Sequence, residues 1–240
     1  MTTFEAVLTR VLTADPGRPL VTFYDDATGE RVELSRTTYA NWVAKTASLL
    51  VDEHDLERGG TLRIDLPPHW LGTVFLGAAW TVGLVVTDAD DADAVVCGPA
   101  SVDRWAARAA DVPVLACSLL PLGVRFAEPL PDGVHDVGVE VWSQPDAFLP
   151  LDPPGDADPA YDLGGERRTQ AELWSAAAAG DLLADGGRLL SVANPASPPG
   201  IATFTEPLAR GGSLVLVTRA DRERLEATYV AERATARFPA

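Results

Sequence analysis

Residues Glu30–Val86, ERVELSRTTYANWVAKTASLLVDEHDLERGGTLRIDLPPHWLGTVFLGAAWTVGLVV, read as strand, helix, strand, helix, strand, and that order decides the fold. Arg31–Leu34 is the second arm of a hairpin whose first arm is Leu20–Tyr24, turned by Asp-Asp-Ala-Thr-Gly at 25–29. Ser35 stands where its hydroxyl can accept from an orphan amide and start a helix. Tyr39, Trp42, Val43, Leu49 and Leu50 then fall near helical spacing on one face. Gly59-Gly60 breaks the pattern, and Thr61–Leu66 alternates as a strand does until Pro67-Pro68 stops it. From His69 to Val82 the chain is apolar nearly all round, which predicts a buried helix. Leu84–Thr87 has the short apolar profile of a strand covered on both faces. Helices that alternate with strands return the chain to the same end of a sheet, so the expected fold class is α/β, with mostly parallel sheets flanked by helices.

The rest of the chain extends this pattern in both directions. Phe4, Val7, Leu8, Val11 and Leu12 make a short amphipathic helix, closed by Asp15-Pro16-Gly17. Ala94–Cys97 and Val112–Cys117 are apolar strands, and between them Ser101 caps a helix carrying Val102, Trp105, Ala106 and Ala109. From Pro121 to Tyr161 proline, glycine and aspartate recur, and only Val137–Trp142 alternates, which predicts a strand there. Residues 1–240 are accordingly expected to form a single α/β domain, with a boundary between two lobes, if there are two, near 143–160. Thr169-Gln170-Ala171-Glu172 is a capping box opening a helix to about Leu183. Arg188–Val192 is a strand, and Ser197-Pro198 is expected to begin a helix buried through Ile201, Phe204 and Leu208. Gly211-Gly212 stops it, Leu214–Thr218 is a strand, and Asp221 opens a last helix with Leu225 and Tyr229.

Charge excludes several partners. Among 240 residues, 35 acidic side chains outnumber 19 basic ones, for a net charge of −16. Nucleic acid and anionic membrane surfaces both need Lys and Arg, so neither is an expected partner. Cys97 and Cys117 lie in apolar strands without metal spacing, and buried free thiols are expected. The start MTTFEAVLTRVL lacks the pattern of a signal peptide, and no apolar run approaches the roughly 20 residues of a membrane helix, so a cytoplasmic protein is expected. DADDAD at 88–93 invites a calcium reading, but Asp93 and Pro99 occupy the positions where such a loop wants Gly and Glu, so it is taken as a solvated acidic turn.

With those residues in place the chain resembles the adenylate-forming (AMP-binding) enzymes, which include the acyl-CoA synthetases. The opening cadence runs from Gly29 through Leu34-Ser35, a helix ending in Leu49-Leu50, Arg58-Gly59-Gly60, a strand, Leu66-Pro67-Pro68, an apolar helix and Gly83-Leu84-Val85-Val86. The later stretch LLSVANPASPPGIATFTEPLARGGSLVLVTRAD is similar to the family as well, through Pro195, Gly200 and Leu208-Ala209-Arg210-Gly211-Gly212. Together these match the first half of the family's large N-terminal domain. The resemblance implies an ATP-gripping loop rich in Ser, Thr and Gly, with Pro-Lys-Gly, just before Thr169. What stands there is LPLDPPGDADPAYDLGGERR at 149–168, without serine, threonine or lysine, and with Asp152, Asp156, Asp158 and Asp162 to repel phosphate. Gly164, Gly165, Arg167 and Arg168 are the candidates for a remnant anion site beside a helix N-terminus, against a plain turn. The family's Tyr-Gly-x-Thr-Glu motif and C-terminal domain have no counterpart in the sequence, and Thr205-Glu206 is a chance pair within a helix.

No nucleophile elbow, dinucleotide turn or metal-binding motif occurs, so no catalytic residue, metal or cofactor is predicted. His54 and His135 read as surface or capping histidines. His69, Trp70, Asn194 and Ser197 are the pocket candidates, because ligands of open α/β sheets gather beyond the carboxyl ends of the strands. Three functional readings follow. The first is a non-catalytic relative of the adenylate-forming enzymes that binds a small molecule or a protein. The second is an acid-activating ligase with a divergent nucleotide site, and the third is a structural homodimer subunit.

Overall fold

A computed structural model describes residues 2–239. Helix α1 (Phe4–Ala14) precedes the hairpin β1 (Pro19–Asp25) and β2 (Glu30–Ser35), followed by α2 (Arg36–Ser48). Then come β3 (Thr61–Asp65), α3 (Trp70–Val82), β4 (Val85–Thr87), β5 (Ala94–Cys97), α4 (Val102–Ala106) and β6 (Val114–Ala116). The middle of the chain adds β7 (Val134–Asp136), α5 (Val137–Glu140), and the hairpin β8 (Pro159–Leu163) and β9 (Glu166–Thr169). The last third holds α6 (Gln170–Ala179), β10 (Arg188–Ser191), α7 (Ala202–Ala209), β11 (Ser213–Thr218), α8 (Arg222–Ala231) and β12 (Ala236–Phe238).

Two sheets result. One has the order β12-β10-β11-β1-β2, and the other β7-β6-β5-β3-β4-β8-β9. Every pairing is parallel except the hairpins β1–β2 and β8–β9, each at a sheet edge. The chain starts in the first sheet, builds the whole second sheet, and returns to lay β11 beside β1, with Val21 opposite Leu214. That closure joins segments nearly the full chain length apart.

Helix α3 explains how the sheets share a core. All of its residues but Thr81 are buried, and it packs on β1 of one sheet and on β3 and β4 of the other. A helix apolar on every side has no face to give to water, so the fold must cover it from all directions. Gly77 permits the closest approach: a Cβ there would lie 2.4 Å from the Tyr39 hydroxyl and 2.9 Å from the Phe4 ring. Beside it Gln170, fully buried, accepts from the Phe4 amide at 3.1 Å and from the Trp174 indole at 3.0 Å, and donates to the Trp80 carbonyl at 3.3 Å. A satisfied amide in this position ties α1, α3 and α6 together without leaving an orphaned polar group.

Arginines close the helix C-termini. The buried Arg36 donates to the carbonyls of Val11 at 2.9 Å and Gly211 at 2.7 Å, just beyond α7. Arg210 does the same for Ala178 and Gly180 at the end of α6, both at 3.0 Å. Cations are favourable at these ends because the last carbonyls carry the negative pole of the helix.

Several expectations need correction. Val137–Trp142 is not a strand but α5 and a following 3-10 turn, Val141–Ser143. Asp136 caps it by accepting from the Gly138 amide at 2.9 Å, and Val137 and Val141, four apart, are buried while Val139 and Trp142 are exposed. Helix α6 stops at Ala179 and not Leu183, because Gly180 turns extended where the Glu206 carboxylate occupies the space of a Cβ. Helix α7 begins at Ala202 and not Ser197, since residues 194–200 are folded into tight turns in which a Cβ on Gly200 would lie 1.9 Å from the Asn194 carbonyl oxygen. The connector before Thr169 contains the β8–β9 hairpin, with β8 extending the parallel sheet beside β4. Cys97 and Cys117 are free and buried. Among the described residues no helix is long and apolar enough to cross a membrane.

Candidate functional site

The carboxyl ends of parallel strands from both sheets meet around one cavity of about 610 Å³. Strand β1 brings Phe23 and Asp25, β11 brings Thr218 and then Arg219, the segment after β3 brings Pro67, Pro68 and His69, and the segment after β6 brings Leu119, Leu120 and Pro121. Glu30, at the start of β2, completes the polar side. This is the position where open α/β sheets bind ligands, since the strand ends diverge there and leave a crevice.

His69 is the group to watch. It caps α3: its Nδ1 accepts from the Leu71 amide at 3.2 Å. That leaves the proton of the neutral ring on Nε2, which is buried and has no hydrogen-bond partner. Its ring packs on Phe23, 4.7 Å between centroids, and on Trp70 at 5.5 Å. Burial drives its pKa from 6.5 down to about 3, only weakly opposed by the Asp25 charge, so the ring is neutral at physiological pH.

The acidic side of the cavity is organised around Arg219. Its Nε donates to Asp25 Oδ1 at 2.8 Å and its terminal nitrogen to the other carboxylate oxygen. Burial pushes the Asp25 carboxyl up, but the Arg219 guanidinium and the Ala27 amide outweigh it and hold the pKa below its usual value. Glu30 moves the other way: burial, then the Asp25 charge, raise its pKa, and its Oε1 is buried without a partner. Arg219 and Leu119 both adopt positive φ, +48° and +58°. Such backbone costs a non-glycine residue about 1–3 kcal/mol and persists where surrounding structure enforces it.

Of the sequence candidates, His69 lines the cavity. Trp70 is buried behind it, edge-on to Trp42 at 5.0 Å. Asn194 donates to the Leu66 carbonyl at 2.7 Å, which draws the two candidate loops together, and its Oδ1 accepts from the Ala196 amide. Ser197 sits in that same turn, its hydroxyl 3.5 Å from the Asn194 carbonyl. Gly164 and Gly165, both at positive φ, turn the β8–β9 hairpin, and the Gly164 amide donates to Asp88 at 2.9 Å. Arg168 donates to Glu166 at 2.6 Å, and Arg167 pairs in register with Asp162. Arg58 holds Asp152 and Asp158, each at 2.8 Å. The acidic turn is anchored too: Asp90 meets Arg63 at 2.9 Å and Arg104 at 3.0 Å, and Asp93 accepts from Thr61. Sequence reasoning missed Phe23, Asp25, Glu30 and Arg219; the signal for three of them was position, at or just past the carboxyl end of a predicted strand.

The histidines His54 and His135 do not stand apart on the surface as expected. His54 is buried and lies 3.1 Å from one oxygen of Glu140, while His135 meets the other oxygen at 2.9 Å. Burial, and then the adjacent His135 ring, lower the His54 pKa against the pull of Glu140.

No family model matches the chain. Among solved structures it is similar to an acyl-CoA synthetase of Brucella canis, with a TM-score of 0.76 and 16% identity over 96% of this chain and 46% of that one. It is similar to a benzoate CoA ligase of Burkholderia xenovorans LB400, with a TM-score of 0.74 and 20% identity over 98% and 49%. The N-terminal domain of FACL13 from Mycobacterium tuberculosis aligns with a TM-score of 0.74 and 15% identity over 98% and 62%. The chain thus has the α/β fold found in the N-terminal domains of acyl-CoA synthetases and spans about half the length of the full enzymes it matches. It is also 38% identical over 241 residues to a TIGR03089 family protein of Mycobacterium tuberculosis (strain ATCC 25618 / H37Rv), covering 96% of this chain and 95% of that protein. The chain belongs to the TIGR03089 family.

Proposed function

We propose that this protein is a non-catalytic, cytoplasmic relative of the adenylate-forming enzymes that binds a small apolar molecule in the cavity at the strand ends. The observation that carries the reading is His69 in the cavity wall: a neutral ring whose Nε2–H donor is buried without a partner. An unpaired buried donor costs about 1–3 kcal/mol, which a ligand acceptor recovers on binding. Phe23, Leu119, Leu120 and the prolines provide apolar area, while Asp25 and Glu30 disfavour a second anion. The ligand is therefore an aryl or acyl group bearing an uncharged acceptor, such as an amide or ester. The segment at 149–169 supports the non-catalytic part, because it offers a hairpin and paired aspartates in place of a flexible serine- and lysine-bearing cradle.

Isothermal titration with Mg·ATP, AMP, benzamide and benzoate tests both parts. The expected result is no saturable ATP or AMP binding below millimolar concentration, and benzamide binding that exceeds benzoate and is lost in His69→Ala. Micromolar ATP binding would overturn the non-catalytic reading. Benzoate binding that exceeds benzamide, or no binding of either, would overturn the ligand assignment.

A further inference from the structure

The cluster of His54, His135 and Glu140 belongs to no part of the cavity. One ligand atom from each of the three lies within 4.8 Å of the others. We propose that these residues form a site for a zinc-class divalent transition metal, with two imidazoles and one carboxylate as protein ligands and a water as the fourth.

The donor set comes first. Two nitrogens and one carboxylate oxygen are borderline ligands, suited to zinc and its neighbours and not to magnesium or calcium, which want oxygen alone. Zinc sites with three protein ligands keep the fourth position open to water. The cluster has that asymmetry: the His54 side chain is 4% exposed, and those of His135 and Glu140 are 39% and 28% exposed. A tetrahedral ion with bonds near 2 Å separates its ligand atoms by roughly 3.3 Å. Each histidine is already near that spacing from the Glu140 carboxylate, His54 at 3.1 Å from one oxygen and His135 at 2.9 Å from the other. To share one ion, the carboxylate has to turn a single oxygen inward and the two imidazoles, 4.4 Å apart between ring centroids and nearly edge-on at 75°, have to adjust with it.

The second observation is how the backbone aims these side chains. Helix α2 widens into a π-helical turn at Leu49–Glu53, immediately before His54. Such turns are rare, and they occur frequently at functional sites. The chain then reverses with Asp55 at φ +53° and the Leu56 amide donating to the Leu50 carbonyl at 3.0 Å. On the opposing wall His135 sits on β7, the edge strand, and Asp136 caps the short helix that ends at Glu140. A Cβ on Gly138 would lie 2.5 Å from the Val124 and Arg125 backbone, so that helix is held tightly in place. Cross-links join the two walls. Gln144 donates to Glu53 at 3.2 Å, Lys45 pairs with Asp146 at 3.2 Å, and Trp42 packs edge-on to Trp142 at 5.3 Å. The backbone that carries the three ligands is therefore held in place before any ion arrives, so that only side-chain rotation is left for binding.

Full-length, tag-free protein stripped with chelator and titrated with Zn²⁺ against a chromophoric chelator gives the test. One equivalent should bind, and Co²⁺ in its place should give visible absorption bands of a four-coordinate ion. His135→Ala and Glu140→Gln, at partly exposed positions, should each weaken binding about 100-fold or more while leaving the circular dichroism spectrum unchanged. Millimolar Mg²⁺ should not compete. Binding well below one equivalent, equal binding in both variants, or displacement by Mg²⁺ would each overturn the proposal.

Discussion

His69→Asn separates the electrostatics of the cavity from its architecture. Asparagine is a good N-cap, so it keeps the bond to the start of α3, but it does not titrate. In the folded protein the ring is 3% exposed and its pKa is lowered from 6.5 to about 3. Below pH 6.5 the unfolded chain therefore binds a proton that the folded chain refuses. A base whose folded pKa is depressed favours unfolding as pH falls, so stability is full above 6.5 and is lost progressively towards 3. At about pH 5 the gap is close to one and a half pH units below the unfolded value, which at ~1.4 kcal/mol per unit is a loss of ~2 kcal/mol. Urea denaturation of both proteins at about pH 7.5 and about pH 5 reads this directly. Carboxylates titrate alike in the two chains, so the difference between them isolates residue 69. The wild type should lose ~2 kcal/mol more than the variant over that interval. Equal losses, to within the error of the extrapolation, would refute the claim that the ring is held neutral by burial.

Two further outcomes test the packing. Gly77→Ala drives a methyl group to 2.4 Å from the Tyr39 hydroxyl and 2.8 Å from Val43, so the helices around α3 must separate; a loss of about 1–3 kcal/mol in urea denaturation is expected. Thr169→Ala removes the hydroxyl that accepts from the Glu172 amide in the capping box of α6. It should cost about 1 kcal/mol, mostly restored by Thr169→Ser, by the same measurement.

Much of the architecture was legible because it is written locally. The apolar run from Trp70 to Val82 announced a buried helix, and Ser35 and Thr169 announced their caps. Failures came where local signals conflicted. Val137–Trp142 alternates like a strand, yet the Asp136 cap and the four-residue spacing of Val137 and Val141 prevail. Pro159 and the aspartates around it hid a strand that forms because β4 offers it an edge. His69 was found through its place at a strand end, whereas Asp25, Glu30 and Arg219 reach the same cavity from elements far away in the chain.

The sequence by itself determined most of the helices and strands of the opening stretch and that they layer as an α/β fold, because periodicity and capping act over a few residues. Only the tertiary structure decided what those segments bring together. It laid β11 beside β1, set a neutral histidine against an aspartate–arginine pair, and placed His54 beside His135 and Glu140, some 80 positions further on. Contacts of that kind depend on strand order and crossover direction, which no short stretch of chain encodes.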